Sequence, residues 1–199
     1  MPINSPKAFA RILTAGIVGS LLLLAGRFLP AGPDMVASLA AVPLTVAYWC
    51  GRAGTDSTSG SRVALGALLG VLGMIFLVAC YYVTLWVIGQ TESRQTILFF
   101  GLVGLAGGAL AGGLAALDES KQDLGAAFLG SLYIGEALFF RSMWSTPWLM
   151  LYAGIGLISI ILATSTVRAR LVALILCCPG VLIVFVIWNA VPDMVGTFL

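Results

Sequence analysis

The sequence predicts an all-α membrane protein, a polytopic bundle of seven transmembrane helices. First, 60% of its 199 residues are hydrophobic and only 9% are charged, whereas a soluble globular domain carries roughly 25% charged residues. Second, the apolar residues form runs of about 20, the length that a membrane helix needs. Third, the polar segments between the runs are short. We therefore expect a single transmembrane domain over residues 1–199.

The predicted spans follow the apolar runs of the chain. In order they are 9–29, 34–51, 63–89, 95–117, 123–141, 147–166 and 169–191. The first run could be mistaken for a signal peptide, but it continues to Leu29, so we interpret it as a first membrane helix. The second span is the shortest, and an alternative with six spans leaves residues 34–51 outside the bilayer.

The basic residues orient the predicted bundle. With the N-terminus in the cytoplasm, seven Lys and Arg lie inside and three lie outside, as the positive-inside rule requires. The three outer ones are Arg27, Arg94 and Arg141. Seven spans then place the C-terminus outside. We expect a multi-pass protein of the cell membrane, most simply the bacterial cytoplasmic membrane.

Composition also excludes several classes of function. The chain has no histidine, which removes His-ligated haem, most zinc chemistry and the usual catalytic triads. None of the four cysteines forms a C-x-x-C pair, so we predict neither a metal nor a cofactor. No basic run indicates nucleic acid binding, and no paired catalytic residues indicate an enzyme. The expected partners are the lipid bilayer and other membrane subunits or further copies of this chain.

Glycines recur at helical spacing in the fourth span, "FFGLVGLAGGALAGGLAAL". Gly104, Gly108 and Gly112 are four residues apart, and Gly66 and Gly70 begin a similar face on the third span. Glycine at this spacing lets another helix approach closely. The stripe predicts packing within the chain, with a dimer or partner interface as the alternative.

Two prolines fall within predicted spans. Pro43 lies in the second span, and Pro179 lies in the seventh, within "CCPGV". Proline removes a backbone N–H and kinks a helix. Broken helices frame many transporter sites, so each proline is a candidate hinge, although kinks are also common in ordinary membrane helices.

Glu136 is the most informative residue, because it is a carboxylate inside the apolar run "GSLYIGEALFFRSMW". A charge in lipid costs about 2.5–3.5 kcal/mol on insertion scales. Glu136 should therefore face the bundle, pair with a cation or carry a proton. Arg27 matches its depth, whereas Arg141, five residues on, lies about 140° around the helix.

Aromatic and polar residues at similar depth complete the candidate site. Tyr133 lies one turn before Glu136, and other spans bring Tyr81, Tyr82, Trp144 and Asn189 to the outer half of the membrane. Together they predict a cavity that opens outward. Three interpretations stay open, namely a structural Glu136–Arg27 pair, a site for a ligand or proton, and catalysis.

Two classes of function fit these features. The first is a transport component or membrane-embedded binding subunit for a small or lipophilic molecule, with its outward-opening site around Glu136. The alternative is an accessory or assembly subunit of a larger membrane complex, with no ligand of its own.

Overall fold

The computed structural model describes most of the chain, and the part it describes is almost entirely helical, with no strands. It describes residues 9–10, 12–14, 16–21, 41–52, 62–90, 93–117, 121–142 and 146–198. Seven helices lie within these residues, and a 3₁₀ turn, Phe140–Ser142, follows the fifth. They are α1 (Ile12–Leu21), α2 (Ala41–Gly51), α3 (Arg62–Val87), α4 (Arg94–Ala115), α5 (Gln122–Phe139), α6 (Thr146–Ala163) and α7 (Val167–Phe198).

Within the described residues, four stretches are long and apolar enough to cross a membrane. They are Arg62–Val87, Asp123–Ser142, Thr146–Ala163 and Val167–Ile187. Their apolar side chains are widely exposed, as with Ile175 at 70% and Leu162 at 67%, which suits lipid and would be costly in water. These stretches indicate a membrane protein. The other three helices have shorter apolar stretches, so seven crossings remain a prediction.

The chain divides into two compact units, Met1–Asp118 and Glu119–Leu199. Unit 1 holds α1–α4, and unit 2 holds α5–α7. In unit 1, α2, α3 and α4 pack against one another, and the apolar core between α2 and α3 includes Leu77 and Cys50. In unit 2, α5 is the shared partner, because both α6 and α7 pack against it.

Glycines bring the backbones of α3 and α4 together. A Cβ added to Gly112 would lie 2.8 Å from the Cα of Gly70, and one added to Gly108 would lie 3.0 Å from the carbonyl oxygen of Gly70. Gly66 faces the same seam, opposite Gly112. Gly104 lies beside the side chain of Met74. The glycine stripe of α4 therefore faces α3 within the chain.

Capping residues explain where α3 ends and where α7 begins. Gly89 has a φ of 77°, and the N–H of Gln90 donates to the carbonyl of Leu85 at 2.9 Å. This is the left-handed glycine cap that ends many helices, and it closes α3. At the start of α7, the hydroxyl oxygen of Thr166 accepts a hydrogen bond from the N–H of Ala169 at 3.1 Å, which caps the first turn.

The two candidate hinge prolines lie in helical segments. Pro179 lies inside α7, which is assigned as one helix on both sides of it. Pro43 lies in α2, close to the first residue that the structure describes in this helix. The preceding residues, 34–40, lie outside the described residues. A hinge role for either proline remains a prediction.

Candidate functional site: a buried carboxylate and two tyrosines

Glu136 is completely buried in the middle of unit 2. Its exposed fraction is 0%, and it lies on the stretch Asp123–Ser142, which is apolar and long enough to span a membrane. A buried carboxylate is destabilising unless hydrogen bonds or opposite charge offset the lost hydration. The groups around Glu136 therefore decide what the residue can do.

Tyr152 of α6 reaches Glu136 from the neighbouring helix. Its hydroxyl donates a hydrogen bond to Oε2 of Glu136 at 2.9 Å, and the tyrosine is itself only 8% exposed. A hydrogen bond to a charged group contributes about 1.5–3 kcal/mol. This bond ties α6 to α5 at the depth of the carboxylate.

Tyr133 completes a site of three buried side chains. Its ring centroid lies 4.9 Å from that of Tyr152, with the ring planes inclined by 60°, an arrangement that aromatic pairs favour. Tyr133 precedes Glu136 by one helical turn, so the two residues share a face of α5. Glu136, Tyr133 and Tyr152 are called the Glu–Tyr site below.

Small residues allow the close approach that forms this site. A Cβ added to Gly156 of α6 would lie 3.0 Å from the Cβ of Tyr133 and 3.2 Å from the carbonyl oxygen of Gly130. The side chain of Ile160 fills the space above Gly130, since a Cβ there would lie 2.7 Å from its Cγ1. Any larger side chain at these glycines would push α6 outward.

The prediction included Tyr133 but missed Tyr152. The signal that identifies Tyr152 is its depth. Position 144 lies in the short connection between two adjacent helical runs. Glu136 precedes this position by as many residues as Tyr152 follows it. In an antiparallel pair joined by a short turn, such residues lie at the same level.

For four other predicted site residues, the structure does not describe a position relative to Glu136. Arg27 and Trp144 lie outside the described residues, so their pairing with Glu136 stays a prediction. Tyr81 and Tyr82 belong to unit 1, where their ring centroids lie 5.2 Å apart. Their predicted contact with Glu136, which belongs to unit 2, also stays a prediction.

The remaining two predicted residues lie near the end of α5 and on α7. Arg141 is exposed, in the 3₁₀ turn Phe140–Ser142. Asn189 is exposed on α7, and its Nδ2 donates to the carbonyl of Phe185 at 2.7 Å. That bond lies within α7, one turn back along the helix, and does not involve the Glu–Tyr site.

An apolar groove of about 440 Å³ lies between α5 and α7. Its lining residues are Ile134, Leu174, Cys177, Cys178, Val181 and Leu182. Glu136 is not one of them. The groove is therefore distinct from the outward-opening cavity predicted around Glu136, and that cavity remains a prediction.

Comparison with protein families places the chain in one of them. A profile described as "Family of unknown function (DUF6518)" matches residues 4–193. The chain belongs to this family. Searches of curated proteins and of solved structures found no match. The matched segment includes the whole Glu–Tyr site of this DUF6518 protein.

The chemistry open to this DUF6518 protein follows from the three side chains. A carboxylate can hold a cation or exchange a proton, a phenol can donate a hydrogen bond, and the faces of two rings attract positive charge. Across the described ranges, no group of three or more His, Cys, Asp and Glu residues is placed to hold a metal ion. The described groups around the carboxylate are therefore a hydrogen-bond donor, the hydroxyl of Tyr152, and the packed rings of Tyr152 and Tyr133.

Proposed function

We propose that this DUF6518 protein is a transport component or membrane-embedded binding subunit for a small or lipophilic molecule, with its binding site at Glu136. The supporting observation is the burial of this carboxylate, 0% exposed, on a helix of membrane-spanning length. An ionisable residue at such a depth is costly, and in membrane proteins it commonly marks a substrate, ion or proton site.

The contact with Tyr152 supports a binding role. The hydrogen bond of 2.9 Å joins two helices at the level of the carboxylate, so a ligand that engages Glu136 changes how α6 is held against α5. Transport and binding subunits need such a link between ligand contact and helix position, because a ligand shifts a conformational equilibrium only through contacts that differ between the two states.

A comparison of what copurifies with three forms of the protein tests this proposal. The forms are wild type, Glu136→Gln and the control Asp123→Asn, whose carboxylate lies in the first turn of the same helix. Each is purified in detergent, and its organic extract is analysed by mass spectrometry. We expect a small molecule enriched in wild type and Asp123→Asn, and lost from Glu136→Gln.

Lipids retained equally by all three forms do not count as ligands in that experiment. Identical small-molecule contents for wild type and Glu136→Gln would contradict the binding role and would favour the accessory or assembly role instead. A melting curve for each form confirms that the comparison is made between folded proteins.

We also propose that the protein lies in the cell membrane as a multi-pass protein, with the N-terminus inside and the C-terminus outside. The excess of Lys and Arg in alternate connections supports this orientation. In a variant with its four cysteines replaced by alanine, Ser93→Cys should react with an impermeant maleimide on intact cells. Ser57→Cys, which lies outside the described residues, should react only after permeabilisation, and its labelling on intact cells would reverse the orientation.

A further inference from the structure

We propose that the apolar groove between α5 and α7 holds one acyl chain of an anionic phospholipid, and that Arg170 binds the phosphate of its headgroup. The groove lies wholly in unit 2, and Glu136 does not line it. It is separate from the binding site proposed at Glu136, so either proposal can fail without the other.

Arg170 has a buried hydrogen-bond donor without an acceptor. Among the residues that the structure describes, no group accepts a hydrogen bond from its Nε, which is shielded from solvent. A buried donor in this state is destabilising and calls for a partner such as a water, an ion or a ligand. The edge of a guanidinium that carries Nε–H has a second N–H beside it. Two parallel N–H groups suit the oxygens of a phosphate.

Arg170 lies on the face of α7 that lines the groove. Four, seven and eleven residues beyond it are Leu174, Cys177 and Val181, and all three line the groove. At about 100° per residue, these positions fall within about 40° of Arg170 around the helix axis. Arg170 and the groove therefore share one stripe of α7, with Arg170 at the end nearest the start of the helix.

The stripe has the depth and the length that one acyl chain requires. α7 includes the stretch Val167–Ile187, which is long and apolar enough to cross a membrane, so Arg170, near its start, lies where headgroups meet hydrocarbon. At about 1.5 Å per residue, the groove extends from about 6 Å to about 18 Å beyond Arg170. One leaflet contributes about 15 Å of hydrocarbon. A chain attached to a phosphate at Arg170 would therefore follow the groove along its length.

The shape of the groove suits a hydrocarbon chain that enters from the side. Cys177 and Val181 form its floor and are 4% and 9% exposed, whereas Leu182, which also lines it, is 65% exposed. The lining side chains are aliphatic or thiol groups. Burial of apolar surface against them favours a hydrocarbon chain over a polar solute.

The register between α5 and α7 determines which part of α5 lies at the level of Arg170. The hydroxyl of Ser131 donates to the carbonyl of Cys177 at 3.2 Å. One turn farther on, a Cβ added to Gly135 would lie 2.7 Å from the Cβ of Val184. The two helices thus run in the same direction, and the start of α5 lies beside the start of α7.

The charge at this end of unit 2 favours an anionic headgroup. The starts of the two helices carry three described cations, Lys121, Arg168 and Arg170, and one described carboxylate, Asp123. Asp123 does not accept a hydrogen bond from the Nε of Arg170. Basic residues at the end of membrane helices attract the headgroups of anionic lipids. Two further carboxylates lie outside the described residues, Asp118 and Glu119.

Arg170→Gln should weaken the binding of phosphatidylglycerol by about tenfold, because it removes the charged partner of the phosphate. Arg168→Gln is the matched control. Arg168 is exposed on the same helix, about 160° around the axis from Arg170. It loses the same charge, but it is not on the groove stripe, and its loss should weaken binding by no more than about threefold.

A second pair of variants tests the groove without changing the charge. Cys178→Phe adds a ring at a position that lines the groove and should weaken lipid binding by about fivefold or more, since the ring takes the space of the chain. Ile175→Phe is its control. Ile175 is 70% exposed and does not line the groove, so this variant should bind the lipid as wild type does.

Native mass spectrometry of the full chain in detergent tests this inference. The probes are dioleoyl phosphatidylglycerol, dioleoyl phosphatidylcholine and glycerol phosphate. The second has the same chains but no net charge, and the third has a phosphate but no chain. Titration of each probe gives an apparent Kd for wild type and each variant. We expect wild type to bind phosphatidylglycerol more tightly than phosphatidylcholine and to retain no glycerol phosphate.

Three results would overturn the proposed lipid site. They are equal affinity for the two lipids, equal losses for Arg170→Gln and Arg168→Gln, and a loss for Cys178→Phe no larger than that for Ile175→Phe. Retention of glycerol phosphate as strong as that of the lipid would also contradict it, because the groove would then contribute nothing. If Arg170→Gln does not fold, Arg170→Lys keeps the charge without the paired N–H groups and should still bind phosphatidylglycerol more weakly than wild type.

Discussion

Replacement of Gly112 by leucine is expected to destabilise unit 1 by about 3 kcal/mol or more, at or beyond the upper end of overpacking costs. A Cβ at this position would lie 2.8 Å from the Cα and 3.0 Å from the backbone nitrogen of Gly70. Backbone atoms cannot rotate away as the end of a flexible side chain can. The variant can be accommodated only if α3 and α4 separate, which removes contacts along the whole glycine seam.

Gly101→Leu is the matched control for this substitution. Gly101 lies on the same helix, and no heavy atom lies within 4 Å of a Cβ placed there. The two variants therefore add the same side chain to one helix, with and without a neighbouring backbone. Thermal unfolding in detergent should show a large loss for Gly112→Leu and no loss for Gly101→Leu. Equal melting temperatures would contradict the packing of α3 on α4.

Replacement of Tyr152 by alanine should destabilise the protein by about 3–5 kcal/mol, the usual cost of removing a large buried aromatic side chain. The ring packs against Tyr133, and its hydroxyl donates to Glu136, so the substitution leaves both a cavity and a carboxylate that has lost a donor. Tyr152→Phe keeps the ring and should lose only about 1–3 kcal/mol.

Met150→Ala controls for general effects on the same helix, because Met150 is 70% exposed. The stability of the three variants can be compared by denaturant or thermal unfolding. Tyr152→Ala should be the least stable and Tyr152→Phe intermediate, whereas Met150→Ala should be close to wild type. A loss for Met150→Ala as large as that for Tyr152→Ala would mean that α6 is sensitive to any truncation. The Glu–Tyr site would then have no special part in its stability.

Apolar run length predicted most of the helices well, because a stretch that spans the bilayer cannot contain many polar residues. The predicted span 63–89 corresponds to α3, Arg62–Val87, and the predicted span 123–141 corresponds to α5 with its 3₁₀ turn. The difference at the end of α3 has a local cause. Gly89 adopts the left-handed conformation and ends the helix. The length of an apolar run does not reveal this change in backbone conformation.

The candidate site was predicted less completely than the helices. Glu136 stands out in the sequence because its charge contrasts with the run around it, and Tyr133 follows from helical spacing. Tyr152 has no such contrast, since a tyrosine in an apolar span is also expected wherever a helix meets the membrane interface. Identifying it requires the pairing of two helices, and a single sequence specifies that only indirectly, through matched depth.

The buried residues of α6 form one narrow stripe, which consists of Tyr152, Gly156, Ile160 and Ala163. This stripe has a consequence for how the helix is oriented about its own axis. A helix that is apolar on nearly every side gains almost nothing from lipid by presenting one side rather than another. Its angular setting depends on the small-residue contact at Gly156 and on the Tyr152–Glu136 hydrogen bond. One residue corresponds to 100° of rotation. A rotation of α6 by one position would therefore take Tyr152 away from Glu136, so these contacts decide which side of α6 faces α5 and which sides face lipid.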